Sequence, residues 1–584
     1  RTPPPRGMLK AATQTSAAPQ VAPSNRSSTP PPLTLHLPAG VSGDGVFFSF
    51  THYYGDLMAI TRLKEQPLPV DFLGRLQKFT TNATTGSLYT GERKAVTSPF
   101  FEGELGWVGV GTAADVDEAF KLARRAQPLW AAKPVKYRAA LLERFHDLVK
   151  ENRELLADIV QLETGKDRTA AYDEVLDVMN NARYYANIAA DELEMKSRPG
   201  AFPLITKTVE QRVPKGVVGQ ISPWNYPLAL GISDALAALV AGNAVIAKPD
   251  LNTPFSNIIS LNLLLNAGLP HDVFQIVTGT GREVGQAIAQ QCDYLMFTGS
   301  TATGKLLGKV VGERLVGYSA ELGGKNPMII APDAVIEAHI DTIATACFSN
   351  SGQLCVSIER IYVPEEIFDR FVGAFRDATQ RIKLGSGLNW NYQMGSLINQ
   401  NQLDTVQRFV DDAVSKGATV ITGGKTRPDL GPFFFEPAVL TDVSEDADLL
   451  TQEVFGPVVY VQRVADIDEA IRLANRTNYG LNASVFGAPE TAWEIAEQLQ
   501  AGGVTINDGY AATWASVSTP LGGVKESGVA RRHGPEGLTK YTEVKNISQQ
   551  RIMPMRGPKQ MPRRYYGELM TTALDLGKKL RFLP

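Results

Sequence analysis

Gly216-Val217-Val218-Gly219-Gln220-Ile221, Ala244-Val245-Ile246-Ala247, Phe274-Gln275-Ile276-Val277 and Tyr294-Leu295-Met296-Phe297 are short apolar runs within residues 213–330. Longer segments of helical character follow them in turn: Leu228 to Val240, Ile258 to Asn266, Arg282 to Gln290 and Lys305 to Leu315. Ala241-Gly242-Asn243, Gly268 and Pro270 punctuate the alternation. Continuous apolar strands separated by helices predict a parallel sheet covered on both faces. Ligands bind at the carboxyl ends of such strands, so the chemistry is expected in the loops just after them.

Outward from this core, Asp115-Val116-Asp117-Glu118 opens a helical pattern carrying Ala119, Phe120, Leu122, Ala123 and Ala126. A like-built stretch, Asp466 to Ala474, is read as a common acidic helix start. Arg360-Ile361-Tyr362-Val363 and Ala418-Thr419-Val420-Ile421 predict strands of a second α/β domain. Residues 1–56 are rich in Pro, Ser and Thr near their start, with Asp44 the first acidic residue, and are expected to be a disordered extension. Their basic bias resembles a transit peptide, although the prolines oppose an amphipathic helix.

The 584 residues suffice for two or three domains. Lys and Arg total 58 against 61 Asp and Glu, which gives no reason to expect nucleic acid as a partner. No apolar run is long enough to span a bilayer. The three cysteines, Cys292, Cys347 and Cys355, form no disulfide framework and suit a reducing, cytoplasmic setting. The six histidines are scattered without metal-ligand spacing, so no metal site is expected.

Several segments carry chemistry. Gly299-Ser300-Thr301-Ala302-Thr303-Gly304-Lys305 follows a strand and opens a helix, where N–H groups attract anions. It reads as a P-loop lacking its Mg²⁺ hydroxyl, since Leu306 follows the lysine, or as a dinucleotide site. Ser222-Pro223-Trp224-Asn225-Tyr226-Pro227 is a stiffened turn whose Asn225 amide is a candidate oxyanion donor. Lys248, in Ala247-Lys248-Pro249-Asp250, ends a strand within reach of a cofactor ribose. Glu321, before Leu322-Gly323-Gly324-Lys325, ends an apolar strand where desolvation would raise its pKa toward that of a general base. Cys355 follows Asn350-Ser351-Gly352-Gln353-Leu354, a polar turn expected to favour its thiolate. Cys292 and Cys347 read as core.

Together these segments resemble the aldehyde dehydrogenase superfamily over roughly residues 85–550. Glu321-Leu322-Gly323-Gly324-Lys325, followed 34 positions later by Cys355, is similar to the family's paired catalytic signature. Pro223 to Pro227, Phe297 to Ser300, Glu453-Val454-Phe455-Gly456-Pro457 and Leu521 to Gly528 match further motifs in order. The resemblance implies an aldehyde dehydrogenase-like α/β fold: an open parallel-sheet cofactor domain (57–195 and 213–319), an α/β catalytic domain (320–520) and a small β bridging element (196–212 and 521–550) that pairs subunits as a homodimer or tetramer. It implies NAD or NADP as cofactor and oxidation of an aldehyde to a carboxylic acid. Cys355 would attack, Asn225 would hold the oxyanion and Glu321 would activate water to hydrolyse the thioester. Ser222, Pro223 and Trp224 would border the cofactor. Lys248 and Asp250 would lie at the adenosine ribose, Gly299 and Ser300 along the pyrophosphate, Glu453 at the nicotinamide ribose and Phe455 beside that ring. Because relatives that pass the acyl group to coenzyme A dispense with this glutamate, Glu321 favours hydrolysis.

The closest group by resemblance is the succinate-semialdehyde dehydrogenases, with departures. Ser233 and Ser349 stand where better-known members place arginines for the substrate carboxylate. Leu251 replaces a glutamate that repels the 2′-phosphate of NADP, while Asp250 beside it still carries a charge. Arg532 stands where several relatives carry a glutamate in the proton exit path. The alternatives are an aldehyde dehydrogenase acting on aliphatic or aromatic aldehydes, a Mg·ATP-binding protein using Gly299 to Lys305, and a non-catalytic relative. Residues 551–584 form a basic tail, with Leu569, Met570, Ala573, Leu576 and Leu580 expected on one helical face able to touch an anionic membrane surface.

Overall fold

The computed structural model describes residues 92–101, 103–200 and 205–580. The expectations for residues 1–56 lie outside them.

The alternating stretch folds as anticipated. β5 (Val217–Ile221), β6 (Ala244–Lys248), β7 (Phe274–Ile276), β8 (Tyr294–Thr298) and β9 (Gly317–Glu321) form a parallel sheet in the order β9-β8-β5-β6-β7. Their side chains alternate between two apolar layers. Val245 and Ala247 pack under helices Val135–Glu151 and Pro227–Val240, while Ala244 and Ile246 face the layer containing helix Ala113–Ala131. The chain runs from β5 outward to β7 and then returns across β5 to β8. Strand order therefore reverses between β5 and β8, and a crevice opens at their carboxyl ends. Asn225 follows β5 and Ser300 follows β8, so the reversal brings both to that crevice.

Helix boundaries differ from expectation where capping decides them. Helix Thr301–Glu313 starts four residues before Lys305 because Ser300 is its N-cap, accepting from the Thr303 N–H. The helix expected from Arg282 begins with a π-turn, Gly281–Gly285, before Gln286–Ala289.

The second sheet holds β12 (Thr419–Thr422), β13 (Ala438–Thr441), β14 (Val458–Val464), β11 (Ile358–Pro364), β10 (Asn326–Ile330), β15 (Asn482–Phe486) and β16 (Gly503–Ile506) in that spatial order. It is parallel except for β12. Glu321 belongs to the first sheet, since β9 pairs with β8 as far as Thr298↔Glu321. Helix Asp115 onward and Ile467–Asn475 flank different sheets, each begun by acidic capping.

A three-stranded antiparallel sheet, ordered β18 (Thr542–Gln550), β4 (Thr206–Pro214) and β3 (Lys196–Arg198), holds parts of the two segments expected to form the bridge. It takes less of the chain than 521–550, because β17 (Gly528–Val529) pairs with β9 and extends the first sheet instead. In the tail, helix Arg563–Leu580 buries Tyr566, whose hydroxyl donates to the Met555 carbonyl at 2.9 Å, and leaves Leu569 and Leu576 exposed. Among the described residues no helix is long and apolar enough to cross a membrane.

Candidate active site

A cleft of about 260 Å³ lies where the carboxyl edge of the first sheet meets the amino edge of the second, and Asn225, Glu321, Cys355, Glu453 and Phe455 all line it. The loop after β9 and the loop before β11 face the β5–β8 crevice, so the nucleophile candidate precedes its strand while its partners follow theirs.

Cys355 is carried by a loop of unusual backbone. Asn350, Ser351 and Gly352 have φ of 50°, 56° and 68° in succession. The left-handed turn is pinned from within, as Asn350 Nδ2 donates to the Gln353 carbonyl at 3.0 Å and Gln353 Oε1 accepts the Ile398 N–H at 2.9 Å. A Cβ at Gly352 would lie 2.2 Å from the Gly456 carbonyl oxygen, so only glycine lets the Cys355 loop meet the Glu453 loop. Asn326 Nδ2 holds the Cys355 carbonyl at 2.8 Å.

Asn225 donates one amide N–H to the Gln353 carbonyl at 3.1 Å and lines the cleft with Cys355, so its second N–H is a candidate donor to an oxygen there. Glu321 is buried, and burial pushes its carboxyl up to about 8 against the pull of Arg532 and Lys540. Burial likewise pushes Glu453 to about 8 while its Oε1 accepts the Gly324 N–H at 2.8 Å. Burial, then Glu321 and Glu453, push the Cys355 thiol up to about 12. The expectation that this loop favours the thiolate is therefore corrected: two carboxyl groups share its cleft and oppose the charge. Cys292 and Cys347 are free and buried, as expected of core.

The remaining residues fit a dinucleotide. Pro223, Trp224, Gly299 and Ser300 line the same cleft, and Trp224 meets Phe455 edge-on with centroids 5.5 Å apart. The Ser222 N–H donates to the Lys248 carbonyl at 3.1 Å, joining the two loops. A Cβ on Gly323 would fall 2.3 Å from Glu453 Oε2, so glycine keeps that carboxylate's surroundings open. The N-terminus of helix Thr301–Glu313 presents N–H groups suited to a pyrophosphate. A second cleft of about 330 Å³, walled by Ile221, Phe297 and Leu307 and reaching Gly285, is apolar enough for an adenine. A Cβ on Gly285 would stand 3.7 Å from Lys248 Cδ, so the buried Lys248 adjoins this end. Asp250 accepts the Asn252 N–H at 2.9 Å through one carboxylate oxygen.

Sequence reading missed the second cleft, Leu230 and Thr298. Gly281 and Gly285 were a usable signal for the cleft; nothing local marks Leu230. Ser233 is buried and donates to Asp177 at 2.6 Å. Arg532 is also buried, with Nη2 3.4 Å from Asp234 Oδ2 and its guanidinium 4.8 Å from the Trp514 ring.

A parallel-sheet dinucleotide crevice closed by a cysteine and a buried glutamate defines a cofactor-dependent oxidoreductase acting through a thiol. Residues 89–547 match the model described as the aldehyde dehydrogenase family, and the chain belongs to that family. It is 50% identical over 478 residues to a protein of Mycolicibacterium smegmatis provisionally named succinate-semialdehyde dehydrogenase, NADP(+), covering 82% of this chain and 92% of that one. A Mycobacterium tuberculosis protein with a name of the same kind is 52% identical over 456 residues, covering 78% and 88%. The crystal structure of betaine aldehyde dehydrogenase from Staphylococcus aureus in complex with NAD+ superposes with a TM-score of 0.77 at 32% identity, covering 84% of this chain and 100% of that one. The chain is an NAD(P)+-dependent aldehyde dehydrogenase.

Proposed function

We propose that the enzyme oxidises succinate semialdehyde to the free acid, with NADP+ preferred, through Cys355, Asn225 and Glu321. Cys355, which is only partly buried and gives its thiol proton to solvent water, attacks the aldehyde carbon, and the second Asn225 N–H receives the resulting oxyanion. Lys248, Ser300 and Glu453 would hold the cofactor, which would take the hydride from that carbon. The carbon is left as a thioester on Cys355. Glu321 takes a proton from water, the water oxygen bonds to that carbon, and the C–S bond breaks to release the acid.

The observation that carries this reading is the buried carboxyl of Glu321 in the cleft that also holds Cys355. A base with a pKa near the working pH is what thioester hydrolysis requires. The names of the relatives supply the substrate and the cofactor preference. A second reading rests on Tyr226, Leu230, Tyr510 and Trp514, which pack with Cys355 and give the aldehyde side an apolar, aromatic wall. That wall favours aliphatic or aromatic aldehydes. The edge strand β18, with Val544 and Ile547 exposed, suits pairing of subunits into a homodimer or tetramer, and three free thiols suit a cytoplasmic enzyme.

Purified protein is given succinate semialdehyde, hexanal or benzaldehyde with each cofactor, and reduced cofactor is followed by absorbance, with Cys355→Ala as control. Reduction with succinate semialdehyde and NADP+ that vanishes in the control is expected. Reduction with hexanal or benzaldehyde alone replaces the substrate assignment by the second reading. Reduction that survives in Cys355→Ala refutes the mechanism.

A further inference from the structure

Lys166 stands in the loop between helices Arg153–Thr164 and Arg168–Leu193, and its side chain is wholly buried. Burying an ammonium costs several kcal/mol unless every direction it points is answered. Here all three are. Nζ donates to Glu174 Oε1 at 2.5 Å and to the Asn225 carbonyl at 2.7 Å, and it lies 3.5 Å from the centroid of the Tyr226 ring. Glu174 in turn uses Oε2 to accept the Ala229 N–H at 3.0 Å, in the first turn of helix Pro227–Val240. The pair therefore grips Asn225, the ring that follows it, and the helix that follows both.

The same peptide is held from the nucleophile's side. Asn350 Nδ2 donates to the Asn225 carbonyl at 3.2 Å and to the Gln353 carbonyl at 3.0 Å. Asn225 Nδ2 meets that Gln353 carbonyl at 3.1 Å, two residues before Cys355. The Lys166 loop reaches this turn a second way: the Gly165 carbonyl accepts the Ser396 N–H at 2.7 Å, and the Ser396 carbonyl accepts Gln353 Nε2 at 3.4 Å. An apolar pair of equal volume would fill the space as stably. What such a pair lacks is a directed contact to the Asn225 backbone.

We propose that Lys166, backed by Glu174, is a positioning residue that aims the Asn225 amide at the oxyanion formed on Cys355. This rests on the reading of Asn225 as the oxyanion donor. An oxyanion donor acts only within a narrow range of place and angle, and a misplacement of about 1 Å costs about 100-fold in rate. Lys166 acts through Asn225, so its removal matters only while Asn225 is present.

The test is a double-mutant cycle on the full-length enzyme with Lys166→Met, Asn225→Ala and both together, reading kcat, KM for the aldehyde and the dissociation constant for NADP+. Asn225→Ala is expected to lower kcat about 100- to 1,000-fold. Lys166→Met should lower kcat about 10- to 100-fold with KM and cofactor binding within about twofold, and should cost less than about twofold more in the Asn225→Ala background. Equal losses in both backgrounds would mean general packing damage and overturn the proposal, as would an unchanged kcat for Lys166→Met. Should Lys166→Met fail to fold, Glu174→Gln replaces it in the same cycle with a smaller loss and the same two criteria. Full activity in Asn225→Ala alone overturns the oxyanion reading itself, and the proposal with it.

Discussion

Glu321→Gln keeps the shape of the side chain and removes its capacity to accept a proton, which isolates the hydrolytic half of the reaction. Burial pushes this carboxyl from 4.5 to about 8, so about one molecule in ten carries the ionised base at pH 7 and about half do at pH 8. Where hydrolysis limits turnover, kcat of the native enzyme should rise about tenfold from pH 6 to pH 7 and level off above about pH 8 to 9. The glutamine variant should lose this rise and turn over about 100- to 10,000-fold more slowly, the range for a positioned base and equivalent to about 3 to 5 kcal/mol in the barrier. Attack and hydride loss draw on Cys355 and Asn225, so the first turnover should survive. Rapid mixing should show a burst of about one reduced cofactor per active site, followed by a nearly flat trace. A variant that turns over at the native rate, or a native kcat independent of pH between 6 and 8 when a burst in the native enzyme shows that hydrolysis limits turnover, would refute the assignment of Glu321 as base.

Glu453→Gln removes one of the two carboxyl groups that push the Cys355 thiol toward about 12, so iodoacetamide at pH 9 should alkylate Cys355 several-fold faster, while buried Cys292 and Cys347 stay unmodified. Peptide mass spectrometry reads both, and an unchanged rate would mean that Glu453 does not contribute to the raised thiol. Arg532→Met leaves Asp234 and Asp177 without the buried guanidinium and should destabilise the fold by about 3 to 5 kcal/mol in urea titration. Adding Asp234→Asn should recover part of that loss, and full additivity would deny the pairing. Deleting residues 563–584 removes a helix that is largely exposed and should leave kcat/KM within about twofold, since none of it borders either cleft.

The alternation of apolar strands and helices over 213–330 was enough to specify a covered parallel sheet, because strand and helix periodicities are local properties. The segments Glu321-Leu322-Gly323-Gly324 and Cys355 nominated the reacting pair through their resemblance to the family's paired signature. Boundaries were less legible. Ser300 caps its helix through a hydroxyl rather than an apolar period, and β17 joins the first sheet by pairing with a strand some two hundred residues earlier.

Only the tertiary structure decided the electrostatics and the support of the site. The sequence predicts a loop that eases Cys355 toward its thiolate, but the fold desolvates the thiol and then sets two carboxyl groups in the same cleft, which pushes it up instead. Asp250, two residues after Lys248, braces its own turn through one carboxylate oxygen. Lys166 reads as one more lysine in a polar loop, yet it is closed off from water beneath Asn225, 59 positions away. Charge acts through space and burial, and neither is written in the order of residues along the chain.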